Sequence, residues 1–472
     1  MKTCAFAKKC GGCAYINDSY ETSLKRKQKE VSALLGRFGK VEDIIGADDP
    51  YYYRNKVHAA YTRVNGKILY GTYEEGSHKI INNDDCLIEN KTASEILKTI
   101  AKLLNSFKIH IYDERRGTGL YRRTLIRRSE TTSEMMVVMV VADPVFPGKK
   151  DFVKALVKAH PEITSIIINI NNRKDSMILG PKSMTVYGKG YIRDVVLGKT
   201  FSISPTAFFQ INHEQTEKLY SKAIELCDFK GNEKVLDAYC GTGSIGICFA
   251  SKVKSVVGVE LNRESVACAK ENAKCNNVTN IDFVGLDCTL YMERNKSEIK
   301  FDTVVLDPPR AGTTPEFIKA TAGLSPSKVC YISCNPETLA RDLSLFEKEG
   351  YKAQRIIPFD LFPWTEHIET VVLLSKGIDV SAGKLRVEMS VENMDLSAAH
   401  GKTSYGEIKK HIKDKTGLNV TSLNIAQIKR KHGIIERVNY NLPKCENPRR
   451  PNCPPDKEKA IVAALKHFKM VE

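Results

Sequence analysis

Ser333-Cys334-Asn335-Pro336 places a thiol directly behind the apolar run 328–332 and ahead of a helical pattern over 337–345. Stripped of its proton, a cysteine is a strong nucleophile, and a helix starting just beyond it is expected to help lower its pKa. Covalent catalysis of this kind also needs a base. The candidate is Glu369, in His367-Ile368-Glu369-Thr370, ahead of the apolar run 371–374. Taken singly, such a cysteine is more often a buried structural thiol, and such a glutamate an exposed strand leader. The neighbouring motifs reverse that reading for the cysteine.

Those motifs describe a ligand site. Residues 235–246 read as a strand, the turn Tyr239-Cys240-Gly241-Thr242-Gly243 and the opening of a helix. Glycines there let the backbone approach a ligand, and Gly246 lets helix pack on strand. About 20 residues on, the run 256–260 ends in Glu260, placed to bind ribose hydroxyls. A dinucleotide and S-adenosylmethionine are served equally by these features. Asp307-Pro308-Pro309-Arg310, behind the run 303–306, separates them. An acid and a rigid turn at the carboxyl edge of a sheet resemble the fourth motif of nucleic-acid methyltransferases. A dinucleotide oxidoreductase explains neither this motif nor the one around Cys334.

The two sets of residues fit one reaction. Carbon 5 of a pyrimidine is a poor nucleophile. Adding a thiolate to carbon 6 makes it enolate-like, so that it takes a methyl group; a base then removes the carbon-5 proton and the thiolate leaves. Rival chemistries lose ground on the letters. RNA cytosine-5 enzymes generally carry their nucleophilic cysteine in the fourth motif, which here has none. Enzymes acting on exocyclic adenine nitrogens usually follow Pro-Pro with an aromatic residue, and here it is Arg310. With Phe208-Phe209-Gln210-Ile211-Asn212, these motifs resemble the RNA uracil-5 methyltransferase family over about residues 1–378. The resemblance implies Cys334 as nucleophile, Glu369 as base, and Gln210, Tyr239, Glu260 and Asp307 as S-adenosylmethionine contacts. It places Asp287 toward the adenine end and Asp307 also at the target base. The implied partner is RNA, either 23S rRNA or tRNA. A non-catalytic RNA-binding assembly factor is the alternative, and the presence of both Cys334 and Glu369 speaks against it.

Cys4, Cys10 and Cys13 form a C-x5-C-x2-C run, and Cys86 lies far downstream. Four thiolates hold zinc or an iron–sulfur cluster, and spacing alone favours neither. The rRNA branch of the family carries a 4Fe-4S cluster on the same three-plus-one pattern. The resemblance therefore implies that cluster rather than zinc, and 23S rRNA rather than tRNA. The C-x3-C-x2-C spacing of radical methyltransferases is absent, so the cluster is expected to be structural or to position RNA. Tyr51-Tyr52-Tyr53-Arg54-Asn55-Lys56, Tyr121-Arg122-Arg123 and Ile126-Arg127-Arg128 are candidates for stacking bases and gripping phosphates. Each alone is more often a solvated face or a sheet edge.

These side chains need a frame. Runs at 234–238, 255–260, 282–284, 303–306, 328–332 and 370–374 alternate with helical stretches. That is the pattern of a mostly parallel sheet covered on both faces, so the fold class is α/β with a Rossmann-like methyltransferase domain over 203–378. Residues 49–202 mix β-rich runs (134–142, 165–170) with helical patterns (93–107, 150–159): an α+β RNA-binding domain that contributes Cys86. Ahead of it, 1–48 hold the cysteines and a helical run at 24–35. The module 379–472 is basic, with 18 Lys and Arg against 10 Asp and Glu from residue 380. It is expected to be helical at 405–416, 423–431 and 457–467, with a proline-rich stretch at 443–455. Some rRNA members of the family begin with a β-barrel RNA-binding domain, which has no room ahead of Cys4; the basic module is expected to replace its grip on RNA.

The 472 residues are 42% hydrophobic and 27% charged, a globular composition long enough for two to four domains. A net charge of +16 favours a polyanionic partner. No run of about 20 apolar residues predicts a transmembrane helix. Met1-Lys2-Thr3-Cys4 opens no signal peptide, so the 14 cysteines are expected in a reducing cytoplasm, and the chain as a monomer.

Overall fold

The chain enters through α1 (Ala7–Cys10), a single turn carrying Cys10, and α2 (Tyr20–Leu35). Ser19 starts α2 by accepting a hydrogen bond from the Thr22 amide, and Glu21 suits the positive end of its dipole. Ser23, Lys27, Val31 and Leu35, each four apart, form the buried stripe. Lys27 is the exception in kind: a charge with no exposed surface. Its ammonium donates to Asp360 Oδ1 at 2.6 Å and to the carbonyls of Phe362 (3.1 Å) and His367 (2.8 Å). Asp360 Oδ2 accepts the Tyr20 hydroxyl at 2.8 Å.

The structure, a computed structural model, describes residues 2–77, 79–82, 84–175, 177–376, 405–432 and 454–468. It has two units, Met1–Val380 and Ser381–Glu472. In the first, a seven-stranded sheet has the order β3-β2-β1-β4-β5-β6-β7. Its strands are β1 (Lys56–Val64), β2 (Lys67–Tyr73), β3 (Ile80–Asn82), β4 (Tyr121–Arg128), β5 (Met135–Val141), β6 (Ile163–Ile170) and β7 (Lys182–Gly188). Helices α3 (Lys91–Ser106) and α4 (Lys149–Ala159) cover one face. All seven residues of β5 are buried, because both its faces are covered. Met135, Val137, Met139 and Val141 meet the helices; Met136 and Val138 meet Ile192 of β8 (Ile192–Val196) and Ile203 of β9 (Lys199–Ile203).

The second sheet has the order β12-β11-β10-β13-β14-β16-β15. Strands β10 (Lys234–Ala238), β11 (Ser255–Glu260), β12 (Ile281–Gly285), β13 (Thr303–Leu306) and β14 (Lys328–Ser333) are parallel. Helices α5 (His213–Cys227), α6 (Ser244–Phe249), α7 (Arg263–Cys275), α8 (Cys288–Asn295), α9 (Pro315–Leu324) and α10 (Pro336–Lys348) accompany it. Val235 and Leu236 enter separate cores on opposite faces. This is the α/β architecture expected from the alternating runs. Strand β15 (Tyr351–Phe359) was not legible: a bulge between Ala353 and Arg355 breaks its alternation, and Pro358 argues against a strand. It survives because Glu42 and Ile45 donate to the carbonyls of Ile356 and Pro358 and cover the edge. Strand β16 (Glu369–Lys376) runs antiparallel between β15 and β14.

The second unit packs α11 (Tyr405–Thr416), α12 (Ser422–Lys431) and α13 (Pro455–His467) around Ile408, Ile412, Ile425, Ile428, Ile461 and Leu465. All three helices fall where the apolar periodicity put them; the proline-rich stretch lies outside the described residues except for its end. Among the described residues no helix is long and apolar enough to cross a membrane.

Lys27→Met alone, or Asp360→Leu alone, is expected to cost about 3–5 kcal/mol by leaving one buried charge unpaired, whereas the double substitution costs far less. Denaturant unfolding followed by fluorescence of Trp364, the one tryptophan, tests this.

Candidate active site

Five parallel strands end along one edge, and the residues leaving them are the candidates. Tyr239 follows β10, Glu260 ends β11, Asp287 lies just past β12, Asp307 follows β13 and Cys334 follows β14. Glu369 begins the antiparallel β16, so it starts at that same edge. Ser333 pairs with Thr370, so Cys334 leaves the sheet beside Glu369. Gln210 lies between β9 and α5; its carbonyl accepts from Asn55 Nδ2 at 3.1 Å, so its backbone is what the structure holds.

The glycine-rich turn is built by Glu260. One carboxylate oxygen accepts the Gly241 amide at 3.2 Å and the other the Asn262 amide at 2.7 Å. Gly241 has φ +54° and open space where a Cβ would stand, as ligand approach requires. Gly243 differs from expectation: a Cβ there would lie 2.7 Å from the Phe283 ring, so this glycine serves packing. At Gly246 a Cβ would lie 2.5 Å from Asp237 Oδ2, the oxygen that accepts its amide, which confirms close helix-on-strand packing. Tyr239 takes φ 59°, a left-handed conformation costing about 1–2 kcal/mol. Its hydroxyl bonds the Thr313 hydroxyl at 3.0 Å, its ring packs on Phe317, and its amide donates to Cys288 Sγ. Asp287 is exposed and caps α8, accepting the Leu290 amide at 3.0 Å.

Electrostatics decide what these groups do. Cys334 is half-buried, and its thiol is pushed up to about 11 by burial and then by the carboxylates of Glu369 and Asp307, with Arg310 opposing. The expected acidification is thereby overturned. Helix α10 does begin at Pro336, capped by Asn335, but desolvation and two nearby carboxylates outweigh it. Glu369 is 3% exposed rather than an open strand leader. Burial, and then Asp307, push its carboxyl well above the usual range. Burial alone raises Asp307 to about 7, although an edge of it meets solvent. Asp237 is raised to about 8 by burial, then by Asp307 and Glu260. So many crowded carboxyls favour a cationic ligand, whose charge lets them ionise. Arg310 Nη2 donates to His367 Nδ1 at 3.1 Å; burial and then Arg310 hold that imidazole below its usual pKa, in its accepting form.

Cys4, Cys10, Cys13 and Cys86 line one cavity of about 70 Å³, with Arg54 and Glu89 on its wall. Burial pushes Cys13 and Cys86 up to about 12, assisted by Cys10 and Glu89 respectively. Among the described residues no three His, Cys, Asp or Glu side chains are gathered tightly enough for a single metal ion.

Several aromatics expected to face RNA hold the fold instead. Tyr53 is buried and its hydroxyl donates to the Pro363 carbonyl at 3.0 Å; Tyr51 packs on Trp364; Tyr121 has no exposed surface. Arg122 is buried against Glu114, and Arg128 pairs with Glu130. Lys27, Asp360 and Trp364 were missed altogether, since no local pattern links residues 333 apart.

The family model described as tRNA (Uracil-5-)-methyltransferase matches residues 19–377. An "Uncharacterized RNA methyltransferase" of Clostridium tetani is 40% identical over 377 residues, covering 79% of this chain and 82% of its own. Its counterpart in Listeria innocua is 38% identical over 377 residues, covering 79% and 83%. The Pyrococcus abyssi tRNA (uracil-54, C5)-methyltransferase, solved with S-adenosyl-L-homocysteine, aligns with TM-score 0.63 at 28% identity, covering 75% of this chain and 83% of that one.

Asp307→Asn removes a negative charge beside Cys334 and is expected to lower the thiol pKa; Arg310→Ala is expected to raise it. The rate of iodoacetamide alkylation at Cys334 against pH, read by mass spectrometry, should shift several-fold in those opposite directions.

Proposed function

We propose that this protein, which belongs to the tRNA (uracil-5-)-methyltransferase family, methylates carbon 5 of a uridine in 23S rRNA through a covalent adduct with Cys334. Membership makes it an S-adenosylmethionine-dependent RNA methyltransferase. The observation that carries the finer reading is Cys334 beside the buried Glu369 and Asp307 at the strand ends.

S-adenosylmethionine, when bound, supplies an electrophilic methyl group together with a positive charge, which suits the crowded carboxyls. In this reading Gln210, Tyr239, Glu260, Asp287 and Asp307 hold it. Cys334 Sγ, as thiolate, bonds to carbon 6 of the uridine, and the double-bond electrons move to carbon 5 and the carbon-4 carbonyl. Carbon 5 would then take the methyl group as its bond to the sulfonium sulfur breaks, leaving S-adenosylhomocysteine. Glu369, as carboxylate, takes the carbon-5 proton; the enolate so formed expels Sγ and restores the carbon 5–carbon 6 double bond. The burial that raises the Glu369 pKa makes it a strong base once ionised.

The 23S rRNA assignment rests on the four cysteines meeting at one cavity. They fit a 4Fe-4S cluster better than zinc. A lone zinc holds its sulfurs within about 2.3 Å of one centre, whereas among the described residues these thiols line a cavity without converging on one ion. The P. abyssi structure favours a second reading, tRNA as substrate.

Labelled S-adenosylmethionine, unmodified 23S rRNA and tRNA test both readings. Label on carbon 5 of an rRNA uridine, lost in Cys334→Ala, is the expected result. Label on tRNA alone would establish the second reading, and label on neither would end both. Protein prepared without oxygen is expected to carry about four irons and four sulfides, absent in Cys86→Ala; one zinc in their place would overturn the cluster assignment.

A further inference from the structure

One face of the first sheet carries a row of cations that the reaction does not use. Strands β1 and β4 pair Lys56 with Arg127, His58 with Leu125 and Ala60 with Arg123. Residues directly opposite one another share a face, so Lys56, His58, Arg123 and Arg127 lie together, on the face away from α3 and α4. Strand β2 adds Gly71 opposite Ala60, and Tyr73 two residues on lies with its ring 5.5 Å from the Arg123 guanidinium. Toward β5 this face is closed, since Leu125 packs with Met136, Val138, Ile192 and Ile203. Toward β1 and β2 it opens, with Lys56, Arg123 and Tyr73 half-exposed and His58 exposed.

Among the described residues, the charges that shift two members of the row are all of one sign. Every charged neighbour that shifts Lys56 or His58 is a cation: Arg127 and Arg54 for the first, Arg54, Arg123 and Lys56 for the second. Burial, and then those neighbours, pulls Lys56 down to about 8. At its closed end Arg127 is 4% exposed, donates from Nη2 to the Ala207 carbonyl, and has a buried Nε with no partner. The buried guanidinium leaves the closed end of the face positive. Nucleic-acid strands without sequence preference are held in this way, by cations on the phosphates and an aromatic platform for a base. The Arg127–Ala207 contact and the Asn55–Gln210 contact seat this face against residues 205–212, which carry a candidate cofactor contact.

We propose that the face bearing Lys56, His58, Arg123 and Arg127 is the track for the unpaired RNA strand flanking the target uridine. Lys56 and Arg123 grip separate phosphates, Tyr73 with Arg123 offers a stacking surface, and the buried Arg127 adds its charge from beneath the closed end. The inference rests on RNA being the substrate and extends it to the path of the strand. The catalytic groups are untouched by it.

The test is the salt dependence of binding a uridine-containing single-stranded oligoribonucleotide, by fluorescence anisotropy over a KCl series with the full chain. Each phosphate contact on a single strand contributes about 0.7 to the slope of log affinity against log salt. Lys56→Ala with Arg123→Ala is expected to lower that slope by about 1.4, and Lys56→Gln alone by about 0.7. Lys56→Arg with Arg123→Lys should keep the original slope. S-adenosylmethionine binding and melting temperature should be unchanged in all three. An unchanged slope in the double alanine variant overturns the track. Methyl transfer by the unsubstituted enzyme is read in parallel, so failure of the functional reading shows there and not in the slope.

Discussion

The buried pair of Lys27 and Asp360 holds together parts of the chain that no local interaction could join. Taking both charges out of water is costly, and the cost is met only because the ammonium has three oxygen partners and the carboxylate a second donor in Tyr20. Two of those oxygens are the carbonyls of Phe362 and His367, so α2 clamps the loop leading into Glu369. The same loop holds Trp364 at φ 71°, with its indole N–H on the Pro50 carbonyl and its own carbonyl accepting the Tyr15 amide. A strained aromatic persists there because its surroundings leave it no alternative.

Around Trp364 pack Ile16, Tyr53 and Ile88, with Cys4, Cys13 and Cys86 at the margin. The cysteine cavity is therefore a neighbour of the loop leading into Glu369, even though Cys4 and Glu369 are far apart in sequence. A cluster in that cavity would brace the entry to β16 without touching the reacting atoms.

Charge is sorted by task. At the strand ends burial and crowding raise the carboxyls of Asp237, Asp307 and Glu369 above their usual range, a setting that a sulfonium relieves. On the first sheet the charged groups that shift Lys56 are cations, a setting that a phosphate relieves. Each surface is poised for a ligand of the opposite sign.

Much of this was legible in the letters. The strands behind Tyr239, Glu260, Asp307 and Cys334 fall within a residue of where apolar runs placed them, because a buried parallel strand needs an unbroken run and its end is marked by glycine or proline. The family follows from residue types in order. The state of those residues does not. Cys334 is raised rather than acidified, Glu369 is buried in a way no local pattern shows, and Tyr53 and Tyr121 are core rather than RNA platforms. A pKa and an exposure depend on what the fold brings near, and register between β14 and β16, or between β1 and β4, joins residues far apart in sequence. The sequence by itself determined which groups are available and along which strand each one ends; only the tertiary structure decided which of them share a cleft, since desolvation and charge coupling act through space rather than along the chain.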